Sequence, residues 1–151
     1  MLIGVISDTH GLLRTEALDA LRGVDRIIHA GDIGGPEVLV SLGVVAPVTA
    51  VRGNNDNGPW ADQLAATELV DAGGTRLYVL HDLATLDVDP AAAGFRVVIA
   101  GHSHKPRQEE HNGVLYFNPG SAGPRRFRLP IALGKLTIAA GTVEAEIVTL
   151  G

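Results

Sequence analysis

Four histidines, two aspartates and one asparagine stand where short apolar runs of this chain end. LIGVIS (2–7) runs into Asp8-Thr9-His10, and DRIIHA (25–30) runs into Gly31-Asp32. The run 44–51 ends in Arg52-Gly53-Asn54, TRLYVLHD (75–82) carries His81 near its end, and FRVVIAGHSH (95–104) closes on His102-Ser103-His104. Each signal is weak alone. An aspartate or asparagine after glycine is a common turn residue, and a histidine near the end of an apolar strand can be a satisfied core group. GHSH is stronger, because alternate residues past a strand can present both imidazoles to one centre. In open α/β sheets, ligands gather in the crevice outside the carboxyl ends of the strands. Oxygen and nitrogen donors at five such ends are therefore expected to converge. They suit manganese, iron, zinc or similar divalent ions, and they outnumber what one catalytic ion with an open position needs. With one carboxylate shared, they suit two ions about 3.5–4 Å apart, a pair that clamps a phosphoryl group and acidifies a bridging water. The chemistry expected is phosphoester hydrolysis.

The elements that must position these residues follow from periodicity. Leu13, Ala17, Leu18 and Leu21 fall near 3.6-residue spacing and predict a helix over 14–22. Pro36 is placed to open a short helix through about Leu42, since proline is well tolerated at the first helical position. The apolar runs above read as five strands. A short antiparallel tail follows at 114–117, 129–139 and 142–150, the last with Glu144 and Glu146 alternating with Val143, Ala145 and Ile147. A βαβαβ first half and a mainly β second half predict an α/β sandwich, two mixed sheets with flanking helices. No repeat or linker interrupts it, so residues 1–151 are expected to form one domain.

Composition narrows the function classes. The net charge of −5 and an aromatic content of 4% argue against general nucleic-acid binding, which needs excess Lys and Arg and stacking surfaces. The absence of cysteine excludes disulfides, thiolate catalysis and cysteine-ligated metals. No apolar stretch approaches the about 20 residues of a membrane span, and no signal peptide is visible. No membrane association and a cytoplasmic location are the default expectations.

In this order, D-x-H, GD, GN, H and GHxH resemble the calcineurin-like metallophosphoesterases. The small size, the NPGS stretch Asn118 to Ser121 and the following Pro124-Arg125 resemble its compact YfcE-type branch. The resemblance implies a four-layer α/β/β/α sandwich. It also implies that Asp8, His10, Asp32 and His104 hold a first metal, while Asp32 bridges to a second completed by Asn54, His81 and His102. The implied cofactors are two divalent ions, Mn2+ first, with Ni2+, Fe2+, Zn2+ or Mg2+ as alternatives. The implied reaction is attack of a metal-bridging hydroxide on a small phosphodiester.

Two positions depart from the wider family. Asn55 stands where many members have a histidine thought to protonate the leaving group, and an amide cannot supply that proton near neutral pH. The YfcE-type branch departs here too, which points to diesters rather than monoesters. Asp82 replaces a common glycine and either crowds the site or bonds to a ligand. Asp56 either orients ligands or forms an Asx-turn, and Arg125 with Arg126 either attracts phosphate or is simply solvated. His29 is expected in the core, His111 at an exposed hairpin turn, and Ser121 has no evident base that would make it a nucleophile. The alternative function is a protein-binding scaffold of the same fold, like the retromer subunit, and a homo-oligomer is compatible with either reading. A larger protein phosphatase fits less well.

Overall fold

The run Leu2–Ile6 shows no polar face because both of its faces are covered. Ile3 and Val5 point into one apolar core and Ile6 into another, the pattern expected of a strand buried on both sides. The computed structural model describes residues 1–150, and its elements follow in chain order. They are β1 (Leu2–Ile6), α1 (Thr15–Ala20), β2 (Arg26–His29), α2 (Pro36–Val45), β3 (Val48–Ala50), α3 (Pro59–Asp62) and β4 (Thr67–Ala72). Then come β5 (Thr75–Leu80), β6 (Val97–Ile99), β7 (Arg107–His111), β8 (Val114–Asn118), β9 (Ala132–Ala139) and β10 (Thr142–Thr149).

The strands form two mixed five-stranded sheets, ordered β10-β9-β1-β2-β3 and β4-β5-β6-β8-β7. In the first sheet β1, β2 and β3 are parallel, with Gly4 opposite Ile27 and Ile28 opposite Thr49, and β9 and β10 complete it antiparallel. In the second, β5, β6 and β8 are parallel, and β4 and β7 are antiparallel edges. The sheets face each other across a core that includes Val5, Ile28, Leu77, Val79, Ile99 and Phe117. The helices cover the outer face of the first sheet through Ala17, Leu21, Val38 and Leu42. This is the expected α/β sandwich, with one difference: the outer face of the second sheet is covered by a 3-10 turn, Leu83–Thr85, and the segment after it. Among the described residues no helix is long and apolar enough to cross a membrane.

The structure shifts several boundaries. The helix begun by Pro36 extends to Val45, so Val44 and Val45 are its last residues and the third strand keeps only Val48–Ala50. The fifth expected strand is shorter than 95–104, spanning Val97–Ile99, because its exit turns as soon as glycine is reached. Three elements went unpredicted: α3, β4 and β7. The last two are sheet edges, and RQEEH, exposed along most of its length, carries the charge that keeps an edge from pairing with another chain. His111 does sit at the turn between β7 and β8 and is exposed, and Val143, Ala145 and Ile147 of β10 pack on the core as their alternation required.

The two sheets fit closely at Gly134 of β9. A Cβ there would lie 2.4 Å from two atoms of the Phe117 ring, which is buried in the core between the sheets. Gly134→Ala is therefore expected to destabilise the fold by about 1–3 kcal/mol through overpacking. A lowered urea midpoint with an unchanged m-value is the expected readout.

Candidate metal centre

The strand exits are bent in an unusual way. Eight non-glycine residues among those described have positive φ, and five of them are Asp8 (55°), His10 (47°), Asp32 (55°), His102 (71°) and His104 (62°). Left-handed backbone is uncommon outside glycine, although Asp, Asn and His enter it more readily than most. It persists only where surrounding structure enforces it, often at functional sites. Here main-chain bonds between neighbouring exits do so. The Asp8 N–H donates to Gly31 O (3.0 Å), His10 N–H to Asp32 O (2.9 Å), Gly101 N–H to His81 O (2.9 Å) and Ala122 N–H to Ser7 O (3.1 Å). Glycines before the motifs make the approach possible. A Cβ on Gly53 would sit 2.2 Å from Asp32 Oδ1, and one on Gly101 would sit 2.0 Å from Ser7 Oγ.

These turns bring six of the seven expected donors into two facing groups. Asp8, His10 and His104 form one and Asp32, His81 and His102 the other, with the donor atoms of each group within 4.8 Å of one another. Asp8 is fully buried. Its Oδ2 accepts from the Ser7 hydroxyl (2.8 Å) and the His102 N–H (3.1 Å). Its Oδ1 accepts no hydrogen bond and faces Nε2 of His104 at 3.5 Å, of His81 at 3.8 Å and of His10 at 3.9 Å. Asp32 Oδ2 lies 3.2 Å from His81 Nε2 and 3.9 Å from His10 Nε2, so it looks toward both groups. His102 Nδ1 stands 3.3 Å from His81 Nε2. Asn54 is exposed and shares a shallow pocket with His81 and Asp82.

Asp8 Oδ1 and His10 Nε2 are buried polar atoms without a hydrogen-bond partner. Such atoms are costly unless something satisfies them. Donors sharing one ion at about 2.1 Å stand about 3–3.5 Å apart, close to the spacings found here. The donor set fits divalent metal.

Electrostatics separates the two carboxylates. Burial pushes the Asp8 carboxyl above its usual range, against the Ser7 hydroxyl and the charges of His81 and His104. Burial acts on Asp32 in the same direction but is outweighed. Its hydrogen bonds with His81 and the Asn55 N–H, and the charges of His81 and His10, hold it at about 2. For His81, burial would lower the pKa, yet bonding to Asp32 and Ala30 and the charge of Asp8 raise it. His104 moves down, chiefly through burial, with the charge of Arg126 acting in the same sense. His81 Nδ1–H donates to Ala30 O at 2.7 Å, which turns the Nε2 lone pair toward the carboxylates, the usual backbone support of a metal-binding imidazole.

Several residues have more definite places than their sequence suggested. Asp56 is buried, and its carboxylate accepts from the N–H groups of Ile33 (3.2 Å), Gly34 (3.0 Å) and Gly53 (2.9 Å), which locks the second and third exits together. Asn55 donates from its backbone to Asp32 Oδ1 (2.9 Å) and from its amide to Asp32 Oδ2 (3.1 Å). Asp82 caps the 3-10 turn by accepting from the Ala84 N–H, and its Oδ2 is 3.8 Å from His102 Nε2. Arg125 is exposed and pairs with no carboxylate among the described residues, whereas Arg126 is close enough for His104 to sense its charge. His29 is fully buried: its Nδ1 accepts from the Gly31 N–H, and its Nε2 lies 3.0 Å from Thr9 Oγ1. The NPGS stretch is scaffold, since the Asn118 amide donates to Gly101 O and Ser103 Oγ while Ser121 Oγ donates to Asp8 O.

Residues 1–141 match the family model described as the calcineurin-like phosphoesterase superfamily domain. The chain belongs to that superfamily. It is 34% identical to a probable metallophosphoesterase of Methanothermobacter thermautotrophicus, over 100% of this chain and 94% of that one. It is 28% identical to a phosphodiesterase of Methanocaldococcus jannaschii, over 80% and 83% of the two chains. A crystal structure of Chaetomium thermophilum Vps29 superposes with a TM-score of 0.80, at 18% identity and complete coverage of both chains, and shares the fold.

Two expectations follow for the metal-free superfamily domain. Asp56→Asn, which exchanges an acceptor oxygen for a donor, is expected to cost about 1–3 kcal/mol for each N–H left unsatisfied, read as a fall in urea midpoint. His29 has an ordinary pKa of 6.5 and is lowered to about 3, first by burial. Below pH 6.5 the unfolded chain binds a proton that the folded protein refuses. The stability His29 confers is thus complete above pH 6.5 and lost toward pH 3, by up to about 1.4 kcal/mol per pH unit. His29→Gln should show the shallower loss of stability between pH 6.5 and pH 5.

Proposed function

We propose that this chain is a two-metal phosphodiesterase acting on small phosphodiesters. Asp8, His10 and His104 would hold one divalent ion and His81, His102 and Asn54 the other, with Asp32 between them. The observation that carries the reading is the unsatisfied Asp8 Oδ1, buried and faced by three imidazole nitrogens. Two divalent ions in such a site offset phosphoryl charge and acidify water; Mn2+ is the first candidate by ligand hardness.

The remaining roles belong to the protein. Asn55 holds both oxygens of Asp32 and so keeps that carboxylate ionised and oriented toward both groups. Asn54 offers a neutral amide oxygen, which adds no negative charge opposite an arriving phosphate. His81 is fixed in one tautomer by Ala30 O. Because the amide of Asn55 carries no transferable proton, an alkoxide leaving group must depart without help from that position. General acid catalysis is worth about 10²–10⁴-fold, so esters of acidic alcohols are favoured. The name of the Methanocaldococcus relative points the same way. The scaffold reading gains nothing from the sequence, which keeps a donor residue at every position the resemblance requires.

The test is hydrolysis of bis(p-nitrophenyl) phosphate and p-nitrophenyl phosphate by metal-stripped protein with Mn2+, Ni2+, Zn2+ or Mg2+ restored. Metal-dependent turnover favouring the diester is expected. Asn54→Ala and His102→Asn should reduce turnover to background with an unchanged melting temperature, and the metal content should fall from about two ions per chain toward one. Full activity in either variant, or two bound ions without turnover, would overturn the assignment.

A further inference from the structure

Lys105, Arg125, Arg126 and Arg128, four of the chain's 12 Lys and Arg residues, stand on the two segments that leave the candidate metal centre directly after His104 and after Gly123. All four are exposed, and among the described residues none is paired with a carboxylate. In a chain of net charge −5, this patch reverses the local sign. It is tied to the site at both ends. Lys105 follows His104 directly, and the basic loop leaves from Gly123, where a Cβ would lie 2.3 Å from Asp8 O.

In the middle of the basic run stands Phe127. It is 89% exposed, the most exposed of the large apolar residues, and its φ is +54°. A bulky side chain at positive φ is an outlier, and such strain gathers at ligand clamps. Together Lys105, Phe127, Arg128 and Leu129 line one shallow, open cleft. A flat apolar ring bordered by unpaired cations matches a ligand with a planar aromatic part and anionic groups. Exposed aromatics stack bases, and Lys and Arg hold phosphates.

We infer that this cleft is a nucleotide subsite, and that the phosphodiester presented to the metal centre is a short nucleotide diester. Its base rests on Phe127 and a further phosphate is held by Lys105 and Arg128. The inference rests on the phosphodiesterase reading and names its substrate class. A long nucleic acid is disfavoured, because beyond the patch it would meet a net negative protein.

Binding decides the matter without turnover. Metal-free protein in EDTA at low ionic strength would be titrated calorimetrically with the 5′-phosphorylated thymidine dinucleotide pTpT. Phe127→Ala is expected to weaken binding on the order of tenfold. Arg128→Gln should reduce the salt dependence of binding by the share of one phosphate contact, while Arg22→Gln, an equal loss of charge in the turn after α1, should match wild type. Equal binding by wild type, Phe127→Ala and Arg22→Gln, or no detectable binding by wild type, would overturn the inference. Binding weakened by Phe127→Ala in a protein that hydrolyses no diester with any metal would keep the subsite and remove the hydrolase reading. Turnover of bis(p-nitrophenyl) phosphate without dinucleotide binding would do the reverse.

Discussion

The two sheets do not pair edge to edge, yet their strand exits must meet at the candidate metal centre. The bond that ties them there is the one from the His102 main-chain N–H to Asp8 Oδ2. Asp8 ends a strand of the first sheet and His102 lies beyond a strand of the second. With the Ser7 hydroxyl on the same oxygen, one side of the carboxylate is fully occupied and the other is left bare toward the imidazoles. Two further bonds near the site reinforce this one: His81 reaches Ala30 O from the opposite sheet, and Ser121 holds Asp8 O. Loss of that alignment would misplace both groups of donors together, since each contains a residue from either sheet.

The electrostatic consequence is an unequal pair of carboxylates. Asp8 is pushed toward its neutral form by burial, while Asp32 is held ionised by His81 and the Asn55 N–H. Buried negative charge of this kind is tolerated only when it is paired and hydrogen-bonded. The protein supplies the pairing with imidazoles and keeps its deepest histidine, His29, neutral behind them, where Gly31 donates to its ring. His81 bonds to Asp32 within the cluster, while His29 below it only shapes a loop.

Much of the site was legible because its residue types are rare at strand ends. Asp8, His10, Asp32, His81, His102 and His104 converge as their spacing implied. What stayed hidden was the support. From sequence Asp56 reads equally as a ligand-orienting group or an Asx-turn; its bond to Gly53 is local, but its other two donors come from the loop after β2. Nothing in a linear pattern announces that. A signal was available in the glycine before Asp32, Asn54 and His102, which marks backbones that must pass closely. The fold was legible where strands are buried on both faces. It was obscure at β4 and β7, since β4 puts Leu69 on its exposed face and Glu68 on the other, and RQEEH has no apolar side to read.

The left-handed turns at the strand exits also act as a filter on composition. Asp, Asn and His are the non-glycine residues that enter this backbone region most readily, and they are also the residues that offer oxygen or nitrogen donors without a long side chain. Backbone and chemistry therefore select from the same small alphabet at Asp8, His10, Asp32, His102 and His104. A lineage that loses the reaction but keeps the fold would still draw these positions from that alphabet. Polar residues there can outlast the activity that first used them.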